Sequence, residues 1–194
     1  LESLLQEDPE TRIILAIGHY GNFELFSWIH LGAPTAQPAT TYRALRQPRL
    51  TKLMLELRKA SGCLYFERRT GGEQLKAAMK TPHIVLGLLA DQNAGEHGLW
   101  LPVFGRETSV SPAPAVFAQR YRCRVFTSAC FRTSPGRWTI ELGEEIPVRE
   151  NGKRRSTEAI TRDIITAQEE TIRRDPANWF WVHNRWKPRP QAHE

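Results

Sequence analysis

Cysteine is scarce in this chain: there are three in 194 residues, Cys63, Cys123 and Cys130, and no C-x-x-C pair among them. That excludes a disulfide scaffold and the common zinc and redox motifs, and it suits reduced thiols in a cytosolic compartment. Long apolar runs are missing too. The longest, such as Ile84 to Ala90, falls far short of the ~20 residues that a membrane-spanning helix needs. No signal-peptide pattern opens the sequence, which begins at Leu1 rather than at a methionine.

Several chemical signatures are absent as well. A G-x-S-x-G elbow, a P-loop and a G-x-G-x-x-G fingerprint are not found, so serine-hydrolase and nucleotide chemistry are not first readings and no cofactor is expected. Zinc-finger spacing, an RNP aromatic motif and a recognition-helix unit are missing, so nucleic acid is not an expected partner. Asp91 to Glu96 faintly imitates a calcium loop, but Pro102 stands where the twelfth-position glutamate belongs. Asp91, Glu96 and His97 show no fixed ligand spacing, and no metal is assigned.

What remains is ordinary globular composition, 40% hydrophobic and 25% charged, at a length that suits one domain over residues 1–194. The net charge is +6, and 21 of the 27 cations are arginine, the residue best shaped for phosphate and carboxylate. The charge is also segregated. Residues 42–69 hold eight Arg and Lys against two Glu, and residues 120–155 hold nine against four. Such clusters suit an anionic lipid surface, lipid phosphates or an acidic protein.

Strand and helix signals alternate along the chain. The β-branched run Arg12 to Gly18 predicts a buried strand, and Asn22 is placed to cap a helix from Phe23 to Leu31. An extended piece at Ala39 to Tyr42 precedes a helix from Leu50 to Ala60, whose Leu53, Leu57 and Ala60 share a face before Gly62 ends it. A strand at Cys63 to Phe66 and a helix at Glu73 to Lys80 follow. His83 to Ala90 is apolar throughout, which predicts the middle of a sheet covered on both faces.

Farther along, strands are expected at Trp100 to Phe104, Val125 to Arg132 and Trp138 to Leu142, with a helix at Pro114 to Tyr121. Asn151-Gly152 marks a turn. Ile160, Ile164, Ala167 and Ile172 form the apolar stripe of a helix that Ser156 or Thr157 caps and Pro176 ends. The alternation of Trp179, Trp181 and His183 predicts a packed terminal strand. The whole reads as an α/β fold, a layered mixed sheet flanked by helices.

Gly18-His-Tyr-Gly-Asn-Phe-Glu24 sits where the first strand gives way to the first helix, the rim at which open α/β sheets usually bind ligands. A strand-to-helix turn can bring the His19 and Glu24 side chains together there. Glu24 would then fix the tautomer of His19 and leave the other ring nitrogen free as a base. No nucleophile accompanies the pair, so its natural task is general-base activation of a substrate hydroxyl. On spacing alone, a turn histidine capped by a nearby carboxylate is the commoner outcome.

The ordered set His19-x4-Glu24, Tyr42-Arg43 with Gln47-Pro48, an arginine at 68 or 69, Asp91-Gln92, Pro102-Val-Phe-Gly105 and Trp179-Phe-Trp-Val-His-Asn-Arg-Trp-Lys187 resembles the bacterial lipid A biosynthesis acyltransferases, the late lauroyl and myristoyl transferases. The resemblance runs from Gly18 to Pro190. It implies a glycerolipid-acyltransferase-like fold and transfer of a fatty acyl group from an acyl carrier protein or coenzyme A thioester to a glycolipid hydroxyl, at the cytoplasmic face of the inner membrane. His19 would be the base and Glu24 its partner. Substrate contacts would fall to Asn22, Tyr42, Arg43, Arg68, Arg69, Asp91 and Gln92. Family members usually carry a longer N-terminal part with a membrane-anchoring helix, which is not seen in this sequence. Two other readings are carried alongside: transfer to another membrane glycolipid such as a phosphatidylinositol mannoside, and a domain that binds acyl carrier protein or nucleic acid without turnover.

Overall fold

A computed structural model describes residues 1–189, so Pro190, the last residue of the resemblance, lies outside the described residues. After a short helix α1 (Glu2–Glu7), the chain enters β1 (Ile13–Ile17), a nine-residue 3-10 helix (Phe23–Leu31) and β2 (Gln37–Tyr42). Helix α2 (Pro48–Arg58), β3 (Leu64–Glu67), α3 (Gly72–Ala78) and β4 (Ile84–Leu89) follow. Strands β5 (Leu99–Val103) and β6 (Arg106–Val110) form a separate antiparallel ribbon. Then come α4 (Ala113–Tyr121), β7 (Arg124–Ser134), β8 (Arg137–Glu145), the small hairpin β9 (Arg149–Glu150) and β10 (Lys153–Arg154), and α5 (Thr157–Arg174).

Six strands make the main sheet in the order β3-β2-β4-β1-β7-β8, parallel except for β8. This is the mixed α/β sheet that the alternating pattern predicts, with β4 and β1 at its centre. Burial on both faces follows from period-two alternation along β1. Ile14 and Ala16 join Leu86, Val125, Leu75 of α3, Ala115 and Ala118 of α4, and Ile160 and Ile164 of α5. Ile13, Leu15 and Ile17 point the other way, against Leu5, Phe26, Ala33 and Phe126. Asn151-Gly152 is the expected turn, with positive φ at both residues, and Ser156 caps α5 by accepting from the Ala159 N–H.

Two local expectations are corrected. Residues 23–31 coil as a 3-10 helix, and the Asn22 side chain makes no capping bond. Phe, Ser, Trp, Ile and His dominate this segment, all weak α-helix formers, and the Ser27 hydroxyl donates to the Glu24 carbonyl at 2.7 Å. Helix α2 forms where the spacing predicts, and no residue of it is buried. Finally, residues 179–187 form no strand. The Trp181 N–H turns back to the Trp179 carbonyl at 2.9 Å and the Trp181 indole donates to the Pro176 carbonyl, so Trp179 is buried while Trp181 is 52% exposed.

Among the described residues, no helix is long and apolar enough to cross a membrane.

Candidate active site

Strand pairing, rather than the strand-to-helix turn, gives His19 its partner. β1 runs parallel to β4 in the register Ile13↔Val85 through Ile17↔Leu89. Continuing that register two residues past the C-terminal ends of both strands sets His19 beside Asp91. The Nδ1 of His19 lies 2.7 Å from Oδ1 of Asp91, and the His19 backbone N–H donates to Oδ2 at 2.8 Å. The Trp179 indole N–H donates to the same Oδ2 at 2.9 Å. An ionised carboxylate can only accept, so a neutral ring facing it carries its proton on Nδ1, and Nε2 makes no hydrogen bond to a described residue.

This carboxylate is nearly sealed from water, with its side chain 5% exposed, whereas His19 is partly open. Burial by itself would raise the Asp91 carboxyl. The hydrogen bond and charge of His19, the Trp179 indole and the His19 N–H together outweigh it and leave the group below its ordinary value of 3.8. Asp91 is therefore an anion poised against an imidazole, the arrangement that orients a histidine base and stabilises it once protonated.

Glu24 does not take that place. Its carboxylate is gripped by Arg58, through Nη2 and through Nε at 3.1 Å, and Arg58 also lies over the Tyr65 ring. The expected His19–Glu24 contact is thus replaced by two separate pairs, because the 3-10 helix carries Glu24 toward the end of α2 while the β1–β4 register delivers Asp91. Asp91, expected among the substrate contacts, is enclosed instead.

The loop that carries His19 is shaped by Gly21. Its φ is +57°, and a Cβ there would stand 1.9 Å from the Cys130 carbonyl oxygen on β7, so only glycine fits. The Gly21 N–H donates to Asn178 O and the Phe180 N–H to His19 O, which stitches this loop to the C-terminal segment. Phe23 and Phe180 flank the imidazole at ring distances of 5.0 and 6.0 Å.

Support for Asp91 comes from the two closing motifs, a role not read from the sequence. Phe104 and Gly105, both at positive φ, make the tight turn between β5 and β6. The Phe104 ring then packs on Trp179 at 5.9 Å, its N–H donates to Glu169 Oε1 at 2.7 Å, and Trp186 donates its indole N–H to the Val103 carbonyl. Behind Asp91, Arg185 is buried, donating to Ser109 O and Thr108 Oγ1, and burial pulls its guanidinium down to about 10. His183 Nε2 accepts the Asn93 N–H at 3.0 Å. A small cleft lined by Asp91, Gln92, Phe180 and His183 lies here.

The other expected site residues share this edge of the sheet without reaching the imidazole. Tyr42 ends β2, Arg43 follows it, and Arg68 and Arg69 follow β3, with the Arg68 N–H donating to the Tyr42 carbonyl. The side chains of Arg43, Arg68 and Arg69 are exposed, while Tyr42, Asn22 and Gln92 are half-buried. The second basic stretch is dispersed. Arg124 opens β7 at the opposite edge of the sheet, whereas Arg132 and Arg137 flank the β7–β8 turn beyond the His19 edge.

All three thiols are held in their neutral form. Burial pushes Cys63 and Cys123 up to about 12 and raises Cys130. Tyr20 is likewise raised to about 12 by burial, and its hydroxyl is spent on the Asp175 carbonyl.

No curated protein is similar enough to this sequence to match it. A family model does match, that of the bacterial lipid A biosynthesis acyltransferases, over residues 1–188. With nearly the whole chain covered and an α/β sheet that presents a histidine at its rim, the chain belongs to the bacterial lipid A biosynthesis acyltransferase family.

Proposed function

We propose that this acyltransferase moves a fatty acyl group from an acyl carrier protein thioester to a hydroxyl of a lipid A precursor, with His19 as general base and Asp91 as the residue that positions it. Nε2 of His19 takes the hydroxyl proton as the oxygen attacks the thioester carbonyl. The new C–O bond forms, the C–S bond breaks, and the departing thiolate recovers the proton from His19. Asp91 holds the ring in the tautomer that leaves Nε2 free and stabilises the imidazolium between the two transfers.

The observation that supports this most is the 2.7 Å contact between Nδ1 of His19 and a carboxylate that is itself buried and held by Trp179. Arg43, Arg68 and Arg69, exposed on the same edge, supply charge for the phosphates of a glycolipid or the acidic surface of the carrier protein. Coenzyme A is the alternative donor. Work at the cytoplasmic face of the inner membrane is where such an acceptor and such a donor meet.

The test is direct. Purified protein is incubated with acyl carrier protein thioester or acyl coenzyme A and a lipid A precursor, and the lipid is weighed by mass spectrometry. A gain of one acyl chain by the parent and its loss in His19→Ala are expected. Equal transfer by His19→Ala would refute the mechanism, and a parent that acylates only other glycolipids would refute the acceptor.

A further inference from the structure

Helix α2 leaves its leucines in water. Leu50, Leu53 and Leu57 are 47%, 56% and 73% exposed, and at ~100° per residue they fall within an arc of about 60°. Three side chains of this size on one stripe of a helix with no buried residue are not surface scatter. Arg46 just before the helix and Arg49 in its first turn lie beside the stripe, Lys52 lies about 130° round from its centre on the polar side, and all three are exposed. Among the described residues, no carboxylate lies within ion-pair distance of Arg43, Arg46, Arg49 or Lys52, although the Glu24–Arg58 and Lys59–Glu56 pairs occupy the far end of the same helix.

We infer that α2 is a membrane-docking element, with its leucine stripe entering the acyl boundary of an anionic bilayer while Arg46, Arg49 and Lys52 bind lipid phosphates. An apolar stripe beside unpaired cations is the pattern of an interfacial helix. A second copy of the chain would set these cations against one another, whereas an anionic lipid surface answers them. Position agrees with chemistry. α2 starts just after β2, so its first turn lies at the sheet edge that carries His19 and Asp91, and Arg58 ties its last turn through Glu24 to the helix following the His19 loop. A docked α2 sets that edge toward the lipid. This deepens the functional reading given above, since a glycolipid acceptor is met at a bilayer.

Sedimentation of the full chain with phosphatidylethanolamine–phosphatidylglycerol vesicles tests it, with phosphatidylcholine vesicles as control. The parent binds the anionic vesicles, less so at high salt. The variant Leu50→Ser/Leu53→Ser/Leu57→Ser, altered only at exposed positions and therefore folded, partitions about 100-fold less. In Arg46→Gln/Arg49→Gln/Lys52→Gln, each lost cation costs about fivefold. Both variants keep parental transfer to a detergent-dispersed acceptor. Parental vesicle binding by the leucine variant overturns the inference, as does a dimer in light scattering that the leucine variant abolishes. The two readings fail separately: if only the acyltransfer mechanism is wrong, no form transfers yet the vesicle pattern stands, and if only docking is wrong, transfer proceeds while the leucine substitutions leave binding intact.

Discussion

Replacing Asp91 by asparagine changes one atom and, on this geometry, the tautomer of His19. The Oδ2 atom of Asp91 accepts both the His19 N–H and the Trp179 indole, at 2.8 and 2.9 Å. In Asp91→Asn the amide oxygen must stay with those two donors, which turns the NH2 group toward Nδ1. The ring then accepts at Nδ1 and carries its proton on Nε2, where it cannot act as a base. A base held in the wrong tautomer costs about 10⁴-fold in rate. Steady-state transfer should therefore lose about 10³–10⁴-fold in kcat with little change in KM, while circular dichroism reports an intact fold. Parental kcat in a folded Asp91→Asn protein would refute the pairing.

Other outcomes follow from the same geometry. Glu24→Gln and Arg58→Gln should act as one unit, the double variant being no worse than either single one in transfer, and both losses should be at least about tenfold smaller than that of Asp91→Asn. Trp179→Phe keeps the packing on Phe104 but removes a donor to a charged acceptor, so about 1.5–3 kcal/mol of stability is lost in urea unfolding. Because the folded Asp91 carboxyl sits below its ordinary value of 3.8, its contribution to stability is complete above that value and is lost as pH falls through the lowered one. Acid unfolding of the parent should thus steepen below about pH 4, and Asp91→Asn should flatten that limb. Gly21→Ala forces a Cβ into the Cys130 carbonyl and should cost more than about 2 kcal/mol, read from a lowered midpoint of thermal unfolding.

Much of the scaffold was legible because burial leaves a periodic trace. The apolar runs of β1 and β4, the stripe of α5 and the Asn151-Gly152 turn each follow from local pattern. The partner of His19 was not, since it depends on which strands become neighbours. Glu24 is near His19 in sequence, while Asp91 is near it only once β1 and β4 pair in register. A usable signal existed: both strands are short, apolar runs, and each is followed within two residues by a titratable side chain at the same edge, His19 and Asp91. The closing tryptophans misled for a related reason. Their alternation imitates a strand, but Trp179 is fixed by a carboxylate 88 residues away and the chain turns immediately after it. In α2 the spacing locates the helix and its apolar face, but periodicity does not say what covers that face, and no residue of the helix is buried.

The imidazole itself offers the sharpest test. Long-range ¹H–¹⁵N NMR of the labelled protein, at a pH where the His19 ring is neutral, reports which nitrogen carries the proton. A proton on Nδ1 with Nε2 bare is expected in the parent and in Glu24→Gln, and the reverse in Asp91→Asn. A proton on Nε2 in the parent, or a tautomer that follows Glu24 instead of Asp91, would contradict the assignment of the base.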